Sequence, residues 1–300
     1  MQRTYLLGLI GEGITTSLTP PMHEAEATAQ GLSLVYRTID LRELGRSPYD
    51  VGELLRSGVE FGFDAFNITH PCKQLVISHL DELSAEAERI GAVNTVLIRD
   101  GRLIGHNTDA GGFALGFQSA LGDVDLSNVL QLGAGGAGAA VADGLAGLGA
   151  ATLTIADPDR GRAVELCERL GRRGDVRAVA ADIADAERLL ASASVSGLVN
   201  ASPIGMHHHP GSPVSPEALH REQWVADVVY RPTVTELITA ARELGCATMP
   251  GGHMAVGQAA ATFAMVTGNA PDEGRMSRHF AQLVAAEEQR QHVQPEGVHA

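Results

Sequence analysis

Residues 129–145 read VLQLGAGGAGAAVADGL, and this stretch decides the fold of the second half of the chain. A β-like run, NVLQL, leads into three glycines spaced G-x-G-x-x-G, at Gly133, Gly135 and Gly138, and an alanine-rich helical run follows. A further strand-like run, LTIAD, ends in Asp157, about 20 residues beyond the last glycine. Strand, glycine turn, helix, strand and acid in this order predict a dinucleotide-binding βαβ unit. A purely structural glycine turn is the alternative.

The glycine turn suits a pyrophosphate because the absence of a side chain has a different steric effect at each glycine. Gly133 permits a tight turn, Gly135 lets the backbone approach the phosphates, and Gly138 lets the helix pack closely on the strand. Gly136 and Ala137 complete the turn, and the N–H groups at the start of the helix face the anion. We therefore expect these five residues to hold the cofactor.

Asp157 bears on the choice between NAD and NADP. A carboxylate at this strand end accepts hydrogen bonds from the ribose hydroxyls of the adenosine and repels a 2′-phosphate. The loop ADPDRGRA adds a second acid, Asp159, whereas Arg160 and Arg162 could either clamp a phosphate or lie at a solvated helix start. The pattern favours NAD, and it does not exclude NADP.

Strand-like and helix-like segments alternate on both sides of this unit. One series runs from the strand TYLLGLIGE, through a strand predicted over residues 61–69, to a hairpin with Asp100-Gly101 as its turn. A second series begins near residue 108 with a helix predicted over 109–121, and it includes a short strand predicted over 177–182. Strands separated by helices of about 10 to 15 residues indicate βαβ units and a parallel sheet. We predict a two-domain α/β fold. Residues 1–107 and 254–288 form a substrate-binding and catalytic domain, residues 108–253 form a Rossmann domain with a doubly wound parallel sheet, and residues 289–300 form a flexible tail.

The composition excludes several classes of function. The chain carries 22 basic and 36 acidic residues, a formal net charge of −14. A field of this sign repels phosphate backbones and anionic membrane surfaces, so we expect neither a nucleic-acid nor a membrane partner. Three cysteines far apart in the chain argue against a disulfide framework and fit the reducing cytoplasm. No targeting segment is visible, and no apolar run reaches the ~18 residues of a membrane span.

A second motif, NITHPCKQL at residues 67–75, places a lysine where a predicted strand gives way to a predicted helix. A lysine such as Lys73 at a helix start is usually solvated. However, GHNTDAGG at residues 105–112 puts Asp109 at the junction of the two series, where a side chain can face a cleft between domains. A dinucleotide site predicts hydride transfer, and hydride transfer to a carbonyl needs a proton donor. Lys73 is therefore a candidate for that donor.

These motifs, with others in the same order, resemble the shikimate dehydrogenase family, especially its NAD-using quinate/shikimate dehydrogenases. The resemblance covers about residues 5–285 and rests on SLTPPMHEAE, NITHPCKQ, GAVNTV, GHNTDAGGF, GAGGAG, NASPIGM, DVVYRPTVTELI and GGHMAVGQAAATF. It implies a cytoplasmic oxidoreductase, monomer or homodimer, that acts on a small polyhydroxy carboxylate. The resemblance also implies a place in aromatic amino acid biosynthesis or in a catabolic route that runs toward NADH.

The resemblance implies roles for residues at the matching positions. Lys73 and Asp109 are the expected catalytic pair, with Lys73 moving a proton at the reacting oxygen and Asp109 orienting it. The other residues expected to bind substrate are Ser17 and Thr19 at the carboxylate, Thr69, Asn94 and Gln258 at the ring hydroxyls, and Tyr230 near the carboxylate. Besides the glycine turn, the residues expected to bind cofactor are Asp157 and Arg162 at the adenosine ribose, and Ala201, Met206, Val228 and Gly252 near the nicotinamide.

Two departures from the family pattern bear on specificity. Many NADP-dependent relatives carry N-R-T and a further basic residue where this chain has Ala156-Asp157-Pro158-Asp159, which favours NAD. Many relatives also have Ser where this chain has Thr19, which makes quinate more plausible as a substrate. We expect reversible NAD-linked oxidation of shikimate to 3-dehydroshikimate, of quinate to 3-dehydroquinate, or of both. An amino-substituted shikimate or quinate as substrate, and a non-catalytic dinucleotide-sensing module, are the alternatives.

Some polar and aromatic residues receive ordinary structural interpretations. The run His207–His209 is expected to be an exposed loop, because adjacent histidines rarely point at one ion and no cysteine or carboxylate joins them at ligand spacing. No metal is therefore expected. His23 is expected to pack or hydrogen-bond near the cleft, and Trp224 to lie in the core.

Overall fold

The computed structural model describes residues 3–192 and 194–293. Over these residues the chain forms two six-stranded sheets, each with helices packed on it. We call the first sheet and its helices the first lobe, and the second sheet and its helices the second lobe. This architecture confirms the predicted α/β fold with a Rossmann-like second half.

The first lobe is built on a mixed sheet. Its strands over the described residues are, in chain order, β1 (Thr4–Gly11), β2 (Ser33–Asp40), β3 (Ala65–Ile68), β4 (Glu82–Leu83), β5 (Thr95–Arg99) and β6 (Arg102–His106). They lie in the order β2-β1-β3-β5-β6-β4. β1 pairs in parallel with β2 and β3, whereas β5 runs antiparallel to β3 and β6. Asp100 and Gly101 both have positive φ (52° and 77°) and form the turn of the predicted hairpin.

Four α-helices connect these strands, namely α1 (Thr19–Ala29), α2 (Val51–Glu60), α3 (Cys72–Leu75) and α4 (Ala85–Ile90). Alternate residues of the strands face opposite sides of the sheet. Ile10, Phe66 and Ile68 pack with the helices that follow β2 and β3, whereas Leu9 and Ala65 pack on the other side. The sheet is therefore buried on both faces, as strand runs this apolar predict.

The second lobe has an entirely parallel sheet over the described residues. Its elements are β7 (Asn128–Leu132), α6 (Gly136–Gly147), β8 (Thr152–Asp157), α7 (Arg160–Gly171), β9 (Arg177–Asp182), α8 (Ala186–Leu190), β10 (Gly197–Asn200), β11 (Trp224–Asp227), α9 (Glu236–Leu244) and β12 (Ala247–Met249). The order is β12-β11-β10-β7-β8-β9. Strands β8 and β9 are therefore added on one side of β7 and strands β10 to β12 on the other, and the strand order reverses between β7 and β10. Such a reversal is the usual place for a ligand crevice in an open α/β sheet.

Three further helices join the lobes: α5 (Asp109–Leu121), α10 (Gly252–Thr267) and α11 (Glu273–Val293). α5 and α10 cross where glycine meets glycine. A Cβ on Gly112 would lie 2.4 Å from the amide nitrogen of Gln258, and one on Gly257 would lie 2.6 Å from the carbonyl of Gly112. Only glycines permit this approach, which brings the start of α5 against the middle of α10.

The C-terminal helix is longer than predicted. Met276, Phe280 and Val284 of α11 are buried against α10, and helical bonding continues through residues 289–293, which were predicted to belong to a flexible tail. Residues 294–300 lie outside the described part of the chain. The exact domain boundaries remain a prediction, although every strand of the first sheet lies before residue 107 and every strand of the second lies within 108–253.

Trp224 lies in the core of the second lobe, as predicted. Its side chain is 2% exposed, and a Cβ on Gly197 of the neighbouring strand would lie 2.0 Å from the indole ring. Within the described residues, no helix is long and apolar enough to cross a bilayer.

Candidate active site

Lys73 is held at the mouth of the first sheet by main-chain hydrogen bonds on both sides. Thr69 follows β3, and its amide donates to the carbonyl of Ile10 at 2.9 Å. The amide of Val93 donates to the carbonyl of Lys73 itself at 2.8 Å. The short helix α3 is thus fixed between the ends of β1 and β5, and the Lys73 side chain is directed toward the second lobe.

Lys73 and Asp109 form an ion pair, although they are 36 positions apart in the chain. Lys73 Nζ lies 2.5 Å from Asp109 Oδ2, with the lysine side chain 17% exposed and the aspartate side chain 2% exposed. The other carboxylate oxygen accepts a hydrogen bond from Asn94 Nδ2 at 2.8 Å. The amide of Asp109 donates to Asn107 Oδ1 at 3.0 Å. The carboxylate is therefore oriented by hydrogen bonds, while the amine remains accessible.

Asn94 lies at the centre of a buried polar network. Its side-chain Nδ2 also donates to Thr108 Oγ1 at 2.9 Å and to Gln258 Oε1 at 3.3 Å. Its side-chain Oδ1 accepts a hydrogen bond from the main-chain amide of Thr108 at 2.8 Å. The network continues through Thr95 and Thr262, whose hydroxyls lie 3.1 Å apart. These contacts place Gln258, predicted as a substrate residue, beside the Lys73–Asp109 pair.

Several network members were not assigned a role from the sequence. Asn67 Nδ2 donates to Thr95 Oγ1 at 3.0 Å and to Thr262 Oγ1 at 3.3 Å, and Tyr36 donates its hydroxyl to Asn67 Oδ1. The side chains of Tyr36, Asn67, Thr95 and Thr262 are all buried. The available signal was a polar residue inside an apolar strand or helix, as in AFNIT and AAATF. Buried polar groups need partners, and here they find one another.

Of the predicted carboxylate-binding residues, Ser17 lies on the loop that follows β1, and Thr19 is the first residue of α1. Ser17 Oγ accepts the amide of Thr19 at 3.3 Å, and both residues are half-buried. A Cβ on Gly11 would lie 2.4 Å from Thr69 Cγ2, so this loop runs beside Thr69. Arg231 donates to Thr16 Oγ1 at 2.8 Å, which brings the loop next to the segment that carries Tyr230.

Tyr230 is half-buried, with its ring centroid 6.3 Å from that of Phe280. Burial raises the pKa of Tyr230, and the Asp109 carboxylate adds to the rise, whereas Arg231 opposes it. The phenol therefore remains a neutral hydrogen-bond donor. These contacts bring the loop with Ser17 and Thr19 beside Thr69 and next to the segment that carries Tyr230.

The glycine turn of the second lobe has the geometry that the sequence predicts. Gly133 has φ of +101°, and a Cβ there would lie 2.6 Å from the carbonyl oxygen of Ala201 at the end of β10. A Cβ on Gly138 would lie 2.3 Å from the carbonyl oxygen of Gly133. Gln131 Nε2 bridges the carbonyls of Gly133 and Gly138 at 2.9 and 2.8 Å. A Cβ at Gly133 or Gly138 would collide with the main chain, so the turn can be this compact only with glycine at both positions.

The start of α6 presents unbonded amides to the cleft. The first intrahelical bond runs from the amide of Ala139 to the carbonyl of Gly135 at 2.8 Å, so Gly136, Ala137 and Gly138 supply amides without an intrahelical acceptor. A Cβ on Gly135 would meet nothing within 4 Å. This open space above a helix N-terminus fits a pyrophosphate. A Cβ on Gly136 would lie 3.8 Å from Lys73 Cδ, so the turn and the lysine border the same cleft.

Asp157 stabilises the glycine turn. Its Oδ2 accepts the amide of Ala134 at 2.7 Å, and its Oδ1 accepts the amide of Asp159 at 2.9 Å. Asp159 in turn caps α7 through the amide of Gly161 at 3.0 Å and lies 3.5 Å from Arg162 Nε. Two acids thus lie at the end of β8, and Arg162, one of the two arginines that could clamp a phosphate, is paired with Asp159.

The remaining residues predicted to bind the cofactor lie beyond the carboxyl ends of β10, β11 and β12. Ala201 is buried against Gly133, and the amide of Val228 donates to the carbonyl of Asn200 at 3.0 Å. Gly252 begins α10, whereas Met206 is 41% exposed in the loop after β10. Ala201 therefore adjoins the glycine turn, Val228 is bonded to the end of β10, and Met206 lies at the surface.

Asp227 connects the two loops that carry these residues. Its carboxylate accepts hydrogen bonds from Asn200 Nδ2 at 3.0 Å, the amide of Val229 at 2.9 Å and Thr235 Oγ1 at 2.7 Å. Burial raises the pKa of Asp227 to about 6, and these hydrogen bonds limit the rise. The residue was not predicted, because an acid at a strand end carries no signal of its partners.

No group of histidine, cysteine and carboxylate side chains that could hold a metal occurs in residues 3–192 and 194–293. His207–His209 are exposed in the loop after Met206, as the sequence predicts.

Comparison with known proteins identifies the family. A family profile described as Shikimate dehydrogenase substrate binding domain matches residues 9–96. A protein of Pseudarthrobacter chlorophenolicus named Shikimate dehydrogenase (NADP(+)) is 54% identical over 290 residues, which cover 96% of this chain and 98% of that protein. The chain belongs to the shikimate dehydrogenase family.

Other members of the family differ in the cofactor that their names state. A Corynebacterium glutamicum protein named Quinate/shikimate dehydrogenase (NAD(+)) is 45% identical over 285 residues, covering 94% of this chain and 100% of that protein. The structure of quinate dehydrogenase from Corynebacterium glutamicum in complex with NAD matches with a TM-score of 0.87 and 44% identity, covering 93% of this chain and 99% of that chain. The family comparison thus supports a nicotinamide dinucleotide and leaves NAD and NADP unresolved.

Proposed function

We propose that this protein catalyses the reversible NAD-linked oxidation of shikimate to 3-dehydroshikimate and of quinate to 3-dehydroquinate. The observation that carries the proposal is the Lys73–Asp109 pair at 2.5 Å, bordering the same cleft as the glycine turn. A dehydrogenase needs a proton-transfer group beside its nicotinamide site, whereas a dinucleotide sensor has no such need.

Each residue of the pair has a distinct part in the proposed chemistry. A nicotinamide bound at the glycine turn would supply the hydride acceptor for the carbon that bears the reacting hydroxyl. Lys73 lies at the oxygen of that hydroxyl, takes up its proton as the carbonyl forms in the oxidation, and returns the proton to the oxygen in the reverse reduction. Asp109 holds the lysine amine in place, and Asn94 fixes the Asp109 carboxylate through the 2.8 Å hydrogen bond to Oδ1.

The end of β8 supports NAD as the cofactor. A 2′-phosphate at the adenosine ribose would lie near Asp157 and Asp159, and like charges at close range are repelled. Arg162 is already paired with Asp159 at 3.5 Å, so a phosphate would have to compete for it. The ribose hydroxyls of NAD, in contrast, need only hydrogen-bond acceptors.

The chemistry of both substrates suits the residues proposed to bind them. Each is a small ring carboxylate with several hydroxyls, and the first lobe offers Ser17 and Thr19 for the carboxylate. Thr69, Asn94 and Gln258 are the groups proposed to bind the ring hydroxyls. Thr19, where many relatives have serine, supports activity on quinate in addition to shikimate.

A four-way assay of NADH or NADPH formation tests the proposal. Shikimate and quinate are each tried with NAD and with NADP. We expect turnover of both substrates with NAD and a kcat/KM with NADP that is lower by about 10-fold or more, the effect of about 1.4 kcal/mol of charge repulsion. Preference for NADP contradicts the cofactor proposal. Turnover only of an amino-substituted analogue contradicts the substrate proposal, and no turnover with any compound favours a sensor.

A further inference from the structure

Asp40, at the end of β2, is a buried carboxylate that touches none of the residues proposed to bind substrate. It is 6% exposed, and among the described residues its carboxylate accepts hydrogen bonds from two short segments, residues 13–15 and Arg42. Its Oδ2 accepts the amides of Ile14 at 2.7 Å and Thr15 at 3.1 Å, and also Thr15 Oγ1 at 2.9 Å. Its Oδ1 accepts the amides of Gly13 at 3.0 Å and Arg42 at 3.1 Å.

The first of these segments belongs to the carboxylate loop, which we define as residues 11–17. Gly13 has φ of +65°, so the chain turns there in a conformation that favours glycine. The three successive amides of Gly13, Ile14 and Thr15 then point inward at a single acceptor. A loop with converging N–H groups forms an anion-binding concavity, and here the protein's own carboxylate fills it.

A short series of hydrogen bonds leads from Asp40 to the proposed substrate hydroxyls. The carbonyl of Ile14 accepts the amide of Ser17 at 2.9 Å, which closes the turn after the segment that Asp40 holds. Ser17 Oγ then accepts the amide of Thr19 at 3.3 Å, at the start of α1. The positions of both hydroxyls therefore depend on the conformation that Asp40 imposes on residues 13–15.

The carboxylate of Asp40 is suited to this task only in its charged form. Burial acts to raise the pKa of Asp40, but the hydrogen bonds from Thr15 and from the amides of Gly13, Ile14 and Arg42 lower it below its ordinary value. An asparagine of the same shape would keep one acceptor oxygen and would turn an NH₂ group toward amides that also donate. The loop would then lose part of its support.

We propose that Asp40 is a positioning residue that holds the carboxylate loop in the shape that presents Ser17 and Thr19 to the carboxylate of the substrate. The inference rests on the proposed function and adds a determinant of carboxylate recognition that lies outside the pocket. It predicts that a change at Asp40 weakens binding of the substrate carboxylate and leaves the hydride-transfer step unchanged.

The test compares Asp40→Asn with wild type on two substrates, shikimate and its uncharged methyl ester. We expect the wild-type enzyme to prefer the acid and the variant to lose about 10- to 100-fold in kcat/KM for the acid, mainly through KM, as expected for loss of hydrogen bonds to a charged acceptor. The KM for NAD and the kcat/KM for the ester should change little. Asp64→Asn is the matched control, because Asp64 accepts the amide of Leu6 at the opposite end of β1.

Two further measurements keep the outcome decisive if Asp40→Asn folds poorly. Thr15→Val removes only the 2.9 Å hydrogen bond from an exposed side chain and should shift the acid-to-ester ratio in the same direction by a smaller factor. Hydrogen exchange should become faster in residues 11–17 of either variant. An unchanged acid-to-ester ratio, or unchanged exchange in this loop, overturns the role of Asp40.

The same experiment separates this inference from the proposed function. If wild type turns over shikimate and does not distinguish the acid from its ester, the carboxylate role of Ser17 and Thr19 fails, and the inference fails with it, while the dehydrogenase activity stands. If wild type turns over neither compound, the proposed function is contradicted. Hydrogen exchange in the carboxylate loop then still decides whether Asp40 holds it.

Discussion

His23 on α1 is a fully buried residue whose ring has no hydrogen-bond partner among the described residues. Its side chain is 0% exposed, and neither Nδ1 nor Nε2 contacts a donor or an acceptor there. The ring packs against Tyr36, with 5.2 Å between centroids, and against Phe263 at 6.2 Å. Burial lowers the pKa of His23 to about 4, because the charged ring would lose its hydration.

We predict that His23→Leu makes the protein less sensitive to acid. Above the ordinary pKa of 6.5 the ring is neutral in both the folded and the unfolded protein, so His23 does not reduce the free energy of unfolding there. As the pH falls from 6.5 toward 4, the unfolded chain binds a proton that the folded protein excludes, and the free energy of unfolding decreases. Between pH 7 and pH 5 this decrease should be about 2 kcal/mol larger in wild type than in the variant.

Urea unfolding at these two pH values measures the difference. His207→Leu, in an exposed loop, is the control and should keep the pH dependence of wild type. The same pH dependence in wild type and His23→Leu would show that His23 is not the group responsible.

At the scale of single residues, the residues expected to react could be predicted from the sequence, whereas most of the hydrogen bonds that hold them in place could not. Lys73 and Asp109 could be named because their motifs match a family. Asn94 was predicted to bind a ring hydroxyl, and the structure adds its hydrogen bond to Asp109. Asn67 and Thr262 hydrogen-bond across 195 positions of chain, and no local pattern indicates such a pairing.

At the scale of elements, the end of β8 and the start of α7 form one unit that determines the environment of the adenosine. Asp159 serves this unit in two ways. It caps α7 through the amide of Gly161 at 3.0 Å, and it adds a negative charge beside Asp157 and Arg162. Serine is as good a helix cap as aspartate and carries no charge, so the two contributions can be separated.

We predict that Asp159→Ser raises kcat/KM for NADP relative to NAD by about 10-fold, because one repulsive charge is removed and Arg162 is released from its ion pair. Stability should change little, since serine retains the cap. Steady-state kinetics with both cofactors, combined with thermal unfolding, provides the measurement. Asp125→Ser is the control, because Asp125 precedes β7 at the amino ends of the strands, whereas Asp159 follows the carboxyl end of β8. A cofactor ratio equal to that of the control would refute the role of this charge.

Elements with a strong periodic pattern were predictable, and those set by distant pairing were less so. The helix predicted for residues 109–121 and the strand predicted for 177–182 occur with those bounds. The strand predicted over 61–69 is shorter, Ala65–Ile68, because α2 continues to Glu60 and the chain turns at Gly62 with φ of +77°. β4 has only two residues and exists through its pairing with β6, so it leaves no periodic signal.

At the scale of the whole molecule, the two lobes meet along the crossing of α5 and α10. The glycines at this crossing bring Gln258 of α10 within 3.3 Å of Asn94, which in turn holds Asp109 at the start of α5. On the other side of the cleft, the glycine turn of the second lobe faces Lys73. Two lobes could be predicted from the alternation of strands and helices, whereas their contacts depend on packing that no single segment encodes.

The kcat of Lys73→Ala decides whether Lys73 moves the proton at the reacting oxygen. NADH formation from shikimate is followed in wild type and variant, with the Kd for NAD measured in parallel and folding checked by circular dichroism. We predict that kcat falls by about 10²–10⁴-fold, the usual contribution of general acid–base catalysis, while the Kd for NAD is nearly unchanged. A folded variant that retains the kcat of wild type would contradict the account.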